Sequence, residues 1–192
     1  MAVNTNEEAD ALKILSNVKV LNSDRPGVAW PIYNLSKDLV VQDDDIIVIV
    51  MDDLYPPDHW DTKLKEHLRN ETAVLLVNDG IHKLTDENAP LPILTGSAFN
   101  RLNRIIFNPV YYHLWSDTEF YNNAKELKLI KDIRQTHKEI VFEHRHFSVG
   151  KRGYDKVDVA WHKFAKQDFN MFKLRMKLPV TVRIKSDMKP LI

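Results

Sequence analysis

A run of five apolar, β-favouring residues constrains the fold of this chain more than any other feature. Residues 46–50 are Ile, Ile, Val, Ile and Val, and a run without polar alternation predicts a strand that is buried on both faces of a sheet. Asp52 and Asp53 follow it. Pro56 and Pro57 then end the strand, because proline has no amide hydrogen for a sheet ladder. Ligands of open α/β sheets bind beyond the carboxyl ends of the strands, so this carboxylate pair predicts a divalent-cation site, with a polar turn as the alternative.

The elements around this strand predict an α/β domain. A helix is predicted at about 59–69, and a second uninterrupted apolar strand follows at 73–77. Alternation of strands and helices predicts a mostly parallel sheet that is flanked by helices. A long helix is predicted from 155 to about 177. We therefore expect a core over residues 1–155 and a C-terminal helix and tail, residues 156–192, that pack on it.

Charge is spread unevenly along the chain, although its net charge is zero. Residues 1–60 carry 11 acidic and 4 basic side chains, whereas residues 151–192 carry 4 acidic and 11 basic ones. The basic end predicts either an anionic partner or pairing with the acidic end. The absence of cysteine excludes disulfides and thiolate metal sites. No apolar run approaches the roughly 18 residues of a membrane span and no secretory signal opens the sequence, so a cytoplasmic protein without a membrane span is expected.

Three further polar features accompany the carboxylate pair. The triplet Asn-Asp-Gly at 78–80 follows the second apolar strand, and Asp117 opens a predicted helix. His144 and His146 stand two residues apart, and in an extended segment both imidazoles would face the same side. Each feature also has a purely structural interpretation: a turn, a helix N-cap and a surface histidine pair. The order and spacing of all four features favour a functional interpretation.

In this order the segments resemble the GT-A-fold, family-2-type glycosyltransferases. The resemblance covers roughly residues 3–155. The segments that carry it are DDLYPPDHW at 52–60, LVNDG at 76–80, HLWSDTEF at 113–120 and FEHRH at 142–146, with DRPG at 24–27 and Asn34 upstream. The resemblance implies transfer of a sugar from a nucleotide-sugar donor to an acceptor hydroxyl, with inversion at the anomeric carbon and with Mn²⁺ or Mg²⁺ as cofactor.

The resemblance also implies roles on the donor side. Asp52 is expected to bind the nucleotide, and Asp53 is expected to be the metal ligand. The third position of the usual acidic motif is Leu54 here. Another ligand is therefore needed, and the resemblance assigns that role to His144 or His146.

The remaining roles concern the acceptor and the phosphates. The resemblance implies that Asp117 is the general base, with Glu119 in reserve. Arg25, in the upstream segment, and Lys151 and Arg152, in a loop with two glycines, are expected to contact the donor phosphates. A solvated loop is the alternative for the last two.

The start of the chain departs from the family pattern, and this departure keeps other functions open. Family members have a first strand and helix ahead of the segment where this chain begins. We expect an exposed sheet edge there, which invites self-association or is filled by a strand at 180–184. The alternative function is a non-catalytic, glycosyltransferase-derived binding or assembly module with an incomplete donor pocket. A nucleotidyltransferase is disfavoured, because the sequence has no glycine-rich phosphate loop.

Overall fold

The structure is a computed structural model of the 192-residue chain. It describes residues 2–3, 21–22, 27–146, 150–151, 153 and 156–185. The chain divides into two compact units. Unit one comprises Met1–Val40, Arg104–Ser116 and Val157–Ile192, and unit two comprises Val41–Asn103 and Asp117–Lys156. The division that the sequence predicts, a core over residues 1–155 and a helix and tail over residues 156–192, stays a prediction.

The described residues form short strands and helices in both units. The strands are β1 (Ala2–Val3), β2 (Leu21–Asn22), β3 (Ile46–Val48), β4 (Leu54–Tyr55), β5 (Val74–Leu76), β6 (Ile93–Thr95), β7 (Ile130–Asp132) and β8 (Glu143–His144). The helices are α1 (Ala29–Ser36), α2 (Trp60–Leu68), α3 (Gly96–Arg101), α4 (Ser116–Glu126), α5 (Lys156–Arg175) and α6 (Val180–Arg183). Among the described residues, no helix has the length and apolar character needed to cross a membrane.

The main sheet of unit two is mixed. Its strands are ordered β3-β6-β5-β7; β6 runs antiparallel to β3 and β5, and only β5 and β7 are parallel. The α/β class is confirmed, but the prediction of a mostly parallel sheet is wrong. Parallel neighbours need a long crossover, usually a helix. The chain between β5 and β6 has no described helix and returns directly beside β5.

Strand β3 lies at an edge of this described sheet. Its residues are half-buried and Val50 just beyond it is exposed, so the prediction of a strand buried on both faces is wrong for β3. With β6 as its one described neighbour, β3 is covered less than a central strand. By contrast, β5 is fully buried, as its apolar run predicts. Self-association through an exposed edge stays a prediction.

The core of unit two lies between this sheet, helix α2 and the segment that leads into β8. Trp60, Leu64 and Leu68 follow helical spacing; the two leucines are buried, and Trp60 packs edge-on against Phe142. The buried members of this cluster are Leu54, Leu64, Leu68, Ala73, Leu75, Leu91, Ile93, Ile133, Ile140 and Phe142. The core therefore supports both β4 and β8, which carry the polar residues described below.

Unit one is organised around helix α5. The buried carboxylate of Asp168 accepts hydrogen bonds from the backbone amides of Tyr112, His113 and Leu114, at 3.0, 2.8 and 3.0 Å. Trp115 packs against Phe169 and Phe172 on the same helix. The loop of residues 112–115 is therefore fixed to α5 by hydrogen bonds and by ring contacts.

The strand predicted at 180–184 in unit one is wrong. Four of these five residues are β-branched, which favours a strand, but Val180–Arg183 form the short helix α6. The carbonyl of Pro179 accepts hydrogen bonds from the amides of Val182 and Arg183, and the buried Val180 and Arg183 are three residues apart on one helical face. The tail does not fill a sheet edge over these residues.

Candidate functional site

Two short strands of unit two bring distant parts of the sequence together. In the antiparallel pair β4–β8, Leu54 is opposite His144 and Tyr55 is opposite Glu143. Residues that are directly opposite each other project to the same face of a sheet. Because Leu54 faces the core, His144 also points inward, and Asp53 directly precedes the pair.

The turn after β5 joins the same place through backbone hydrogen bonds. The amide of Phe142 donates to the carbonyl of Asn78 at 2.8 Å, and the amide of His144 donates to the carbonyl of Asp79 at 3.0 Å. The amide of Arg145 donates to the carbonyl of Asp53 at 2.8 Å. Three chain segments that the sequence analysis singled out separately therefore converge.

The imidazole of His144 lies between two carboxylates. Its Nε2 is 3.2 Å from Oδ2 of Asp53, and its Nδ1 is 3.7 Å from Oδ2 of Asp79. Both His144 and Asp53 are largely buried, with side chains 14% and 15% exposed, and Asp79 is 4% exposed. Nδ1 of His144 is buried and makes no hydrogen bond to the described residues, since 3.7 Å exceeds hydrogen-bond range.

A second histidine completes the group. Nδ1 of His82 is 2.5 Å from Oδ2 of Asp79, while Oδ1 of Asp79 accepts hydrogen bonds from the amides of Ile81 and His82 at 3.0 and 2.9 Å. The loop after β5 is thereby wrapped around the Asp79 carboxylate. We refer to Asp53, Asp79, His82 and His144 as the Asp–His cluster.

Electrostatic interactions within the Asp–His cluster favour the charged form of every member. Burial opposes ionisation of Asp53 and Asp79, but the neighbouring histidines outweigh it and lower the pKa of both carboxyl groups. Burial likewise opposes protonation of His144, but the two carboxylates raise its pKa to about 9. The hydrogen bond to Asp79 raises the pKa of His82. At neutral pH the metal-free cluster therefore pairs the two carboxylates with the imidazolium of His144, and the hydrogen bond to Asp79 favours protonation of His82 as well.

The same side chains form a set of metal ligands. Asp79, His82 and His144 each offer one ligand atom, and these atoms lie within 4.8 Å of one another. Two imidazole nitrogens and one carboxylate oxygen form a ligand set that binds divalent transition metals, once the imidazoles have lost their protons. The unpartnered Nδ1 of His144 fits this role, because a metal ion would satisfy it.

Asp117 and Glu119 lie in the first turn of α4. Oδ1 of Asp117 accepts a hydrogen bond from the amide of Thr118 at 2.8 Å. Burial raises the pKa of Asp117, and the positive charge of His82 acts in the opposite direction. This coupling links Asp117 electrostatically to the Asp–His cluster. Glu119 is buried, at 2% exposure.

The other predicted site residues lie around the cluster or outside the described residues. Asp52 is exposed, and the ring centroids of His146 and His144 are 5.2 Å apart. Lys151 is exposed, and its Nζ is 3.0 Å from Oε1 of Glu143. Arg25 and Arg152 both lie outside the described residues.

Sequence reasoning did not assign Asp79 and His82 to a site. The triplet at 78–80 was one of the four features, but turn chemistry also explains it and no ligand role followed for Asp79. His82 lay in a segment without periodicity. The only signal was the spacing, since a carboxylate and a histidine three residues apart at the end of a buried strand can bind one ion. The spacing indicates a metal site only once the fold brings His144 next to Asp79 and His82.

Comparisons with known proteins add no assignment for this arrangement. No protein-family model, curated protein or solved structure matches the chain. Function is therefore inferred from the geometry of the Asp–His cluster and from the ordered motifs of the sequence.

Proposed function

We propose that this chain is a metal-dependent glycosyltransferase that moves a sugar from a nucleotide-sugar to an acceptor hydroxyl. The observation that supports it most is the 3.2 Å contact between Nε2 of His144 and Oδ2 of Asp53. The resemblance to the GT-A-fold glycosyltransferases assigns both residues to one cation, although they lie in distant segments. A chance likeness of sequence segments does not require this proximity.

The donor side of the reaction falls to the acidic segment after β3. Asp53, with His144 or His146, holds the divalent cation, and the exposed Asp52 contacts the nucleotide. When bound, the cation neutralises the negative charge that develops on the departing nucleoside diphosphate. Lys151, which pairs with Glu143 in the absence of donor, would release Glu143 and bind the donor phosphates.

The acceptor side falls to Asp117. As the acceptor oxygen forms its bond to the anomeric carbon, the bond from that carbon to the diphosphate oxygen breaks, and the hydroxyl proton passes to the Asp117 carboxylate. A raised pKa makes this carboxylate a stronger base than an ordinary aspartate. A single displacement of this kind inverts the configuration at the anomeric carbon.

Donor hydrolysis and donor binding test the proposal together. We expect the chain to bind and slowly hydrolyse one member of a panel of uridine, guanosine, cytidine, adenosine and thymidine diphosphate sugars in the presence of Mn²⁺. The substitution Asp53→Asn should lower the rate by about 100-fold or more, while Asp58→Asn, at an exposed aspartate of the same loop, should leave it unchanged. If no donor binds in calorimetry with Mn²⁺, the proposal is wrong; binding without turnover would support the non-catalytic module instead.

A further inference from the structure

We propose that Asp79, His82 and Nδ1 of His144 form an inner site for a nitrogen-preferring divalent transition metal of the zinc type. This site lies on the opposite edge of the His144 ring from Asp53. It is separate from the cation of the nucleotide-sugar donor, which takes His146 and not His144 beside Asp53 when the inner ion is bound, and it does not depend on the glycosyltransferase proposal.

The two ring nitrogens of His144 define two different positions. Nε2 faces Asp53 and Nδ1 faces Asp79, so one ion cannot bind both nitrogens of the ring. Nδ1 is buried without a hydrogen-bond partner among the described residues. Its distance of 3.7 Å from Oδ2 of Asp79 is too long for a hydrogen bond. It is close to the ~3.4 Å that separates two ligand atoms of a tetrahedral ion with bonds of about 2.1 Å.

The carboxylate of Asp79 is already aimed at both imidazoles. Its Oδ1 is engaged by the amides of Ile81 and His82, which leaves Oδ2 directed at the ring of His82, at 2.5 Å, and at the ring of His144. All three ligand atoms lie within 4.8 Å of one another. Binding an ion therefore requires small side-chain rotations and no refolding of the loop.

Residues around the three proposed ligands hold them in place by hydrogen bonds, as is common at protein metal sites. A histidine that ligates a metal commonly donates its other ring N–H to a carboxylate, and Nε2 of His144 has Asp53 in that position. The loop that carries His82 is held in place by the buried Arg134, which lies two residues beyond the end of β7. Its guanidinium donates to the carbonyls of Lys83 and Leu84, at 3.2 and 2.9 Å, and pairs with Asp132.

The donor set identifies the class of ion. Mg²⁺ and Ca²⁺ prefer oxygen ligands, whereas two imidazoles with one carboxylate suit Zn²⁺ and Co²⁺ and leave a fourth position open. The alternative is a network of ion pairs that stabilises the fold and never binds a metal. Metal titration of the whole chain without donor separates these alternatives.

The test uses the full chain after removal of metals by a chelator and then of the chelator itself. We expect each chain to bind one Co²⁺ ion and to show the visible absorption that is typical of Co²⁺ with four or five nitrogen and oxygen ligands. We expect Zn²⁺ to displace it, and excess Mg²⁺ to leave it in place. A chain that shows no such absorption and no Zn²⁺ binding in calorimetry overturns the proposal.

Matched variants locate the ion. His82→Gln and Asp79→Asn should each weaken Zn²⁺ binding by about 100-fold or more. The Asp79→Asn variant keeps an Oδ1 acceptor for the loop amides and so preserves the turn, and circular dichroism verifies its fold. The control is His137→Gln, which removes one ring of a separate histidine pair, His67 and His137, whose ring centroids are 4.2 Å apart. Loss of binding in the control, or normal binding in both cluster variants, shows that the ion binds elsewhere.

Donor assays on the same variants separate this proposal from the proposed function. If the inner-site proposal is wrong and the proposed function is right, the chain hydrolyses the donor in the presence of Mn²⁺ but binds no Zn²⁺. If the proposed function is wrong and the inner-site proposal is right, the chain hydrolyses no donor but binds one Zn²⁺ ion, and this binding requires His82.

Discussion

Nε2 of His144 and Oδ2 of Asp53 are 3.2 Å apart, and this contact connects strand β8 to the acidic turn that follows β3. Both side chains are largely buried, so each would leave an uncompensated charge if the other were removed. Loss of either partner should therefore destabilise unit two, and the contact places a carboxylate and an imidazole at one point.

The stability of the metal-free chain should depend on pH through the Asp–His cluster. The pKa of His144 is raised from 6.5 to about 9 on folding, so its contribution is complete below about 6.5 and is lost as the pH rises toward 9. The pKa values of Asp53 and Asp79 are lowered, so their contributions are present above about 3.9 and are lost as the pH falls. We expect a maximum from this cluster between about pH 4 and 6.5.

Thermal unfolding between pH 4 and pH 10, with chelator present, measures this effect. The variant His144→Gln should show a smaller decline in melting temperature between about pH 6.5 and 9, with the remainder due to His82, whereas His137→Gln should keep the wild-type profile. An unchanged profile in His144→Gln would show that the two carboxylates do not hold a proton on this ring.

The substitution Asp117→Asn should remove transferase activity and leave donor binding intact. It keeps the shape of the side chain and the acceptor for the Thr118 amide but abolishes basicity. We expect kcat to fall by about 10²- to 10⁴-fold with an unchanged dissociation constant for the donor. Single-turnover kinetics and calorimetry measure the two quantities. If Glu119→Gln, and not Asp117→Asn, lowered kcat in this way, the base would be Glu119.

Local elements of this fold could be predicted from the sequence better than their arrangement. Helix α2 and the buried strand β5 are where periodicity and apolar runs place them. The direction of β6 was not predictable, because a three-residue strand is too short to show a pattern typical of parallel or antiparallel sheets. The strand direction is set by the irregular return between β5 and β6, which has no periodic signal.

In the candidate site, too, some residues could be predicted from the sequence and others could not. Asp53 and His144 were predictable as partners because each lies in a recognisable segment. Asp79 and His82 were not, since the loop that orients them is held by hydrogen bonds from Arg134, far along the chain. At 180–184 the abundance of β-branched residues predicted a strand, but burial of Val180 and Arg183 on one face favours a helix.

The carboxylate of Asp168 should be a major source of stability for unit one. It is 1% exposed and accepts three backbone hydrogen bonds, so Asp168→Ala would leave three donors without this acceptor. We expect the free energy of unfolding to fall by about 3 kcal/mol or more. Urea denaturation measures it, with the exposed Gln167→Ala on the same helix as a control that changes stability by less than about 0.5 kcal/mol. Equal stability in the two variants would contradict the structure of this loop.

The substitution Gly96→Ala should destabilise unit two, against the usual helix preference. Gly96 opens α3, and a Cβ atom there would overlap the backbone carbonyl of Gln42, which cannot move like a side chain end. Helix propensity alone predicts that alanine is better by about 1 kcal/mol. Because of the overlap we expect a loss of about 2 kcal/mol or more in the free energy of unfolding. In the control Gly153→Ala, where a Cβ meets no atom of the described residues within 4 Å, stability should be unchanged or slightly higher. Urea denaturation of both variants measures the change in the free energy of unfolding, and its sign for Gly96→Ala shows whether steric overlap or helix propensity dominates. A stabilised Gly96→Ala variant would show that the 42–45 turn does not pack on α3 in this way.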